Sequence, residues 1–228
     1  YFAYNGEDQY EGNSVDDIRG LFSSINQWAL AITRADSGIT SISELDGKRV
    51  GVGAPGSGGE NTARKILETY DVTYDDITEE YLSDGEMAEG LRDGTLDAFF
   101  ITNPLNSATL MELSSSVDIQ LLPVDEPSFY EEYPYFVQEE VPAETYPGQD
   151  TAVPTPINRI LFVTMNDGQL SDEQVRDMLE ILWDNQDGWI ESHAAVAADT
   201  SFEEAIEGMT IPLHSGAVEY YESQGFEI

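Results

Sequence analysis

Gly51-Val-Gly53-Ala-Pro-Gly56 carries the spacing G-x-G-x-x-G between an apolar run that reads as a strand and a segment that reads as a helix. Small residues so placed let a ligand approach backbone N–H groups at a helix N-terminus, where the helix dipole favours an anion. As a dinucleotide fingerprint the match is incomplete. Pro55 stiffens the turn, the glycines run on as Ser57-Gly58-Gly59, and Asp71, about 20 positions on, means little in a chain this acidic. Two readings stand: a turn that captures a small anion such as a carboxylate, and a strand-to-helix turn with no ligand.

Other chemistry is thinly represented. The histidines are His193 and His214, and neither sits in a triad motif. His214 precedes Ser215 at a helix start and reads as a capping or surface residue; His193 falls near a helix end, where an imidazole is structural. Paired carboxylates occur everywhere and read as solvated faces. No EF-hand loop or H-E-x-x-H is present, so no metal or other cofactor is expected. The scarce bases are more informative. Arg34 and Arg159 fall at one end of two apolar runs, where each either faces an anionic ligand or pairs with a surface acid. Tyr130, Tyr133, Tyr135 and Tyr146 either wall a pocket or pack a loop.

The composition bounds the partners. Among 228 residues, 45 are Asp or Glu and 9 are Lys or Arg, a formal charge of -36. Such a chain repels phosphate backbones and anionic lipid, which argues against nucleic acid and against a membrane-surface role. Disorder is excluded by a 40% hydrophobic and 11% aromatic content, enough for a core. The acids are spread along the whole chain, and in molar salt, where the screening length falls to roughly 3 Å, their self-repulsion is largely removed. That pattern points to a salt-loving source such as a haloarchaeon. There are no cysteines, and no apolar run reaches membrane-span length, so no direct membrane insertion is expected. The chain begins at Tyr1, which reads as a processed or truncated product.

The elements that must position these residues follow an α/β pattern. Strands are expected at Trp28–Thr33, Arg49–Gly53, Leu96–Ile101, Ile119–Pro123 and Ile157–Thr164. Helices are expected at Glu60–Tyr70, Gly85–Arg92, Pro104–Leu113 and Asp172–Asn185, the last opened by a Ser171/Gln174 capping box. Ser201 with Glu204 signals a short helix, and Ser215 opens a final one ending near Gly225. Pro142, Pro147, Pro154 and Pro156 make Glu140–Pro156 an irregular loop. The runs Trp28–Arg34 and Arg159–Thr164 bracket a βαβ-type unit and read as hinge strands.

Ala35-Asp36-Ser37-Gly38-Ile39, Leu45-Asp46-Gly47-Lys48-Arg49-Val50, Gly53-Ala54-Pro55-Gly56-Ser57-Gly58, Leu91-Arg92-Asp93-Gly94 and Asp97-Ala98-Phe99-Phe100 occur in an order that resembles the solute-binding receptors of TRAP transporters, TAXI subfamily. Tyr133-Pro134-Tyr135, Thr145-Tyr146-Pro147-Gly148-Gln149-Asp150 and Pro212-Leu213-His214-Ser215-Gly216-Ala217 extend the resemblance over essentially the whole chain.

The resemblance implies a two-lobe type II periplasmic-binding-protein fold, with residues 1–36 and 160–228 in a first, incomplete lobe and residues 37–159 in a second. It implies a non-enzymatic, extracytoplasmic receptor, anchored through a lipid or signal segment of its precursor, that closes on a small carboxylate such as glutamate and delivers it to TRAP membrane subunits. Gly56, Ser57, Gly58, Gly59, Asn61 and Thr62 would form the second lobe's side of the ligand cleft, with Thr102 and Asn103 opposite them at the end of the Phe99-Phe100 strand and Arg34 or Arg159 supplying charge. Two positions depart from the family pattern: Gly59 stands where a Thr is common, and Pro104-Leu105-Asn106 where Gly, then His or Tyr, then Pro is frequent. The alternatives are a nucleotide-binding α/β enzyme using the Gly51–Gly59 turn and a sensor or surface protein without a transport role.

Overall fold

The computed structural model describes residues 1–7, 10–188 and 200–228; His193 lies outside the described residues. The chain divides into two compact units, Asn26–Asn158 and Tyr1–Ile25 with Arg159–Ile228. Their boundaries fall inside two long strands, β1 (Ile18–Arg34) and β7 (Val153–Met165).

The continuous unit is built on one sheet. It holds β2 (Arg49–Gly51), β3 (Thr78–Glu80), β4 (Ala98–Asn103), β5 (Ile119–Leu122) and β6 (Val137–Val141) besides its parts of β1 and β7. The order is β3-β2-β4-β1-β7-β6, with β5 also paired to β1. β2 runs parallel to β3 and β4, whereas β1 is antiparallel to β4, Trp28 facing Asn103 and Thr33 facing Ala98.

Helices cover both faces, which is why the strand sequences are nearly continuous apolar runs. α2 (Gly58–Thr69) packs Ala63, Ile66 and Leu67 against Val50, Ala98 and Phe100. On the other face α3 (Asp84–Arg92) and α4 (Ala108–Ser116) bring Met87, Leu91, Leu110 and Leu113 against Leu30, Ile32, Phe99 and Ile101. Phe99 and Phe100, adjacent in sequence, therefore serve opposite layers. Truncating the fully buried Phe99 to Ala is expected to cost about 3–5 kcal/mol. α5 (Pro127–Glu132) starts on Pro127, whose missing N–H costs nothing in a first turn.

The discontinuous unit contains α1 (Phe2–Asn5), the outer parts of β1 and β7, α6 (Asp172–Asp184) and α7 (Ser215–Ser223). Val175, Leu179 and Trp183 of α6 pack with Ala217, Tyr220 and Tyr221 of α7 and with Leu21 and Phe22 of β1. Gly216 permits this approach, because a Cβ there would run into the Asp172 backbone.

Several expectations change. β1 begins ten residues before Trp28, since Ser23 and Ser24 are buried there; the Ser23 N–H donates to Ala205 O and its hydroxyl to Glu204 O. The Glu140–Pro156 stretch is not wholly irregular, because β6 runs to Val141 and β7 starts at Val153. Pro154 and Pro156 lie in β7 opposite Glu140 and Gln138. The short helix signalled by Ser201 and Glu204 forms only turns. Glu204 O is taken there by Ser23 and by Arg159.

Candidate functional site

β2 leads into Gly53, whose φ of +93° is a backbone state that a side chain would strain, and the turn closes with Gly56 at φ +69°. The first glycine of the spacing, Gly51, has a different job. A Cβ there would stand 2.9 Å from Met87 Sδ and 3.0 Å from Phe99 Cβ, so it lets α3 and β4 close on β2. Ser57 then caps α2, its Oγ accepting from Glu60 N at 3.1 Å. The N–H groups of Gly58 and Gly59, in the first turn of α2, have no partner among the described residues, as helix geometry requires of first-turn donors.

The chain leaves β2 through α2 to β3 on one side and returns through α3 to β4 on the other. Between the carboxyl ends of β2 and β4 this reversal opens a crevice, where open α/β sheets bind ligands. A concavity of about 530 Å³ lies there, lined among others by Gly53, Ser57, Gly59, Asp84, Phe100 and Thr102. Gly59 stands between two hydroxyls: a Cβ added to it would be 3.8 Å from Ser57 Oγ and 4.0 Å from Thr102 Oγ1.

The structure thus brings Ser57, Gly58, Gly59 and Thr102 together, with Gly56 on the turn that leads to them. The remaining expected residues stand apart. Thr62 is buried, its hydroxyl donating to Gly58 O at 2.9 Å. Asn61 Oδ1 accepts from the buried Lys65 ammonium at 2.5 Å, and that ammonium lies 5.2 Å from the centre of the Tyr133 ring. Asn103 points across the strand from Thr102 and donates to Asp84 Oδ2 at 2.9 Å.

The arginines are not part of this concavity. Arg34 pairs with Ile119, at the opposite end of β1 from the residues facing Thr102 and Asn103, roughly 17 Å along the strand from Ala29. Its guanidinium holds Asp36 at 2.9 Å and reaches Arg92 O. Arg159, in the other unit, is nearly buried and paired with Glu204 at 2.6 Å and Glu207 at 3.4 Å. His214 is buried rather than surface-placed and caps α7, its Nδ1 accepting from Gly216 N at 3.1 Å. Tyr130, Tyr133 and Tyr135 pack around Phe129 and Phe136, and Tyr146 is buried with its hydroxyl on Leu105 O, so these rings fill loops. Sequence reasoning missed the lining residue Asp84: the Ser83/Glu86 capping box marks the start of α3 but not its place beside the pocket. Among the described residues no three His, Asp or Glu are grouped to hold a metal ion, and no helix is long and apolar enough to cross a membrane.

The NMT1-like family profile matches residues 1–225. The chain belongs to the NMT1-like family. In three dimensions this NMT1-like chain is similar to a putative periplasmic sulfonate-binding protein from Methylobacillus flagellatus, with TM-score 0.50, 13% identity, and coverage of 91% of this chain and 62% of that one. The aliphatic sulphonate binding protein of Escherichia coli gives 0.47 at 12% identity, with 90% and 56% covered. A TctC solute binding protein from Polaromonas gives 0.46 at 14% identity, with 95% and 62% covered. At these identities the likeness speaks for the fold alone, which is that of type II periplasmic binding proteins, a mixed α/β architecture on an open sheet. The chain spans 56 to 62% of the length of these proteins.

Proposed function

We propose that this chain is the ligand-binding part of an extracytoplasmic solute receptor of the TAXI type. It is not an enzyme, and it hands a small carboxylate, glutamate or a dicarboxylate, to the membrane subunits of a TRAP-type transporter. The observation that carries the reading is the concavity at the carboxyl ends of β2 and β4. There the N–H groups of Gly58 and Gly59, which have no partner among the described residues, stand beside the hydroxyls of Ser57 and Thr102. A carboxylate accepts hydrogen bonds and is favoured at a helix N-terminus, so this donor set suits it. Family membership and the solute-binding proteins that share the fold support the receptor role.

Residues 37–159 act as the second lobe, residues 1–36 and 160–228 belong to the first, and the hinge strands run near 28–34 and 159–164. Lobe closure is the mechanism: the ligand favours the closed state, and the transporter reads that population. The acid-rich composition supports a halophilic origin. Calorimetric titration in molar KCl with glutamate, other dicarboxylates and NAD tests the reading. Saturable one-site binding of a carboxylate with no NAD signal is expected; saturation by NAD alone contradicts it and favours a nucleotide enzyme.

A further inference from the structure

The outer half of β7 carries an exposed group of large apolar side chains. Ile160, Phe162, Val163 and Met165 are 40–48% exposed, and because successive side chains of a strand point to opposite faces, the strand is apolar on both. Its edge is open as well: β6 pairs with β7 only as far as Ile157, and among the described residues no strand is paired to the following residues on that side. From Thr151 to Asn166 no acid occurs, in a chain with 45 acids among 228 residues.

Elsewhere the sheet guards its edges. β3 carries Glu79 and Glu80 and β6 carries Glu139 and Glu140, charges of the kind that keep an edge from pairing with another chain. The other long run without acids, Ile18–Ala35, contains β1, most of whose side chains are buried. Lack of acids thus accompanies cover in β1, whereas the outer half of β7 lacks acids and is exposed.

We infer that this edge of β7 pairs with the same edge of a second copy of the chain, forming a homodimer through an antiparallel strand pair over residues 159–165. A two-fold axis beside Phe162 sets Ile160 opposite the partner's Thr164 and Leu161 opposite the partner's Val163. Such an isologous contact closes on itself and leaves no open edge for further addition. Charge favours a second copy as the occupant. Chains of charge -36 repel one another wherever their acids face, and across this strand neither copy sets a carboxylate opposite the other. Arg159, the one charged residue of the pair-forming segment, is already held by Glu204 and Glu207, and it falls opposite a methionine rather than its own counterpart. The segment lies wholly in the discontinuous unit, so the pairing does not depend on what the chain binds.

Sedimentation equilibrium of the chain in molar KCl tests this. A mass of twice 25.2 kDa is expected, approached reversibly as protein concentration rises. Val163→Glu gives β7 the protection that β3 and β6 already have, and it should weaken association by about tenfold or more. Thermal melting checks that the variant folds. Should it fail to fold, amide hydrogen exchange on the wild type decides, because protection of the amides between Arg159 and Met165 should rise with protein concentration. A monomer at every concentration, or a dimer that Val163→Glu leaves intact, overturns the inference. Protection of those amides that is independent of concentration overturns it too, since the edge is then covered by a segment of the same polypeptide.

Discussion

Gly59, in the first turn of α2, faces Thr102 at the end of β4, so that a Cβ added to the glycine would lie 4.0 Å from the Thr102 hydroxyl. That contact is ordinary van der Waals distance, and the protein accommodates a methyl group there without moving. Gly59→Ala should raise the stability of α2 by about 0.5–1 kcal/mol, the usual gain of alanine over glycine in a helix. It should also weaken carboxylate binding by occupying ligand space. Stability and affinity therefore move apart, which melting and titration on one sample resolve. Tighter binding, or a loss of both, would show that position 59 does not border the ligand.

Ser57 has two tasks. Ser57→Ala removes the cap on Glu60 N and should destabilise the protein by about 1 kcal/mol in urea unfolding. Loss of a hydroxyl from the carboxylate site should weaken binding by about 1 kcal/mol or more. Unchanged affinity removes Ser57 from the site.

Gly51 tests the packing role assigned to it. Gly51→Ala places a methyl group 2.9 Å from Met87 and 3.0 Å from Phe99, and overpacking of this kind costs about 1–3 kcal/mol. Wild-type stability in this variant would mean that Gly51 serves the turn alone.

Glu86 gives the pH dependence of α3 a sign. Hydrogen bonds from the Ser83 hydroxyl and N–H hold its carboxyl below the ordinary value of 4.5. A folded-state pKa lowered in this way contributes stability above 4.5 and loses it as pH falls through the depressed value. Glu86→Ala should therefore lower the urea midpoint at neutral pH, and the gap from wild type should narrow below pH 4.5. A gap independent of pH would assign the effect to helix propensity instead.

A formal charge of -36 makes salt a folding variable. Between about 0.1 M and 1 M KCl the screening length drops from ~10 Å to ~3 Å, and the melting midpoint should rise as self-repulsion is screened. A midpoint that falls on adding salt contradicts the halophilic reading.

What the sequence made legible follows from where apolar pattern and local chemistry agree. β2, β4 and β5 are largely buried and announce themselves as apolar runs, and the capping residue Ser171 marks the start of α6. β3 and β6 were not legible because they are the two edges of the sheet, with the polar sequences Thr78-Glu79-Glu80 and Val137-Gln138-Glu139-Glu140-Val141. Charged residues on edge strands discourage pairing with other chains and erase the hydrophobic signal in doing so. In the site, the Gly-rich turn could be read from a local motif, whereas Thr102 came only from the family resemblance. Asp84 and the remoteness of Arg34 could not be read, because both depend on which strand ends the topology brings together.

The most direct test of the central claim is a titration followed through the backbone amide resonances of the protein in molar KCl. The account predicts that glutamate produces saturable shifts centred on Gly58, Gly59 and Thr102, with downfield movement of the two glycine N–H signals as they acquire a carboxylate partner. Saturable binding that leaves those three amides unmoved would place the ligand elsewhere and contradict the account.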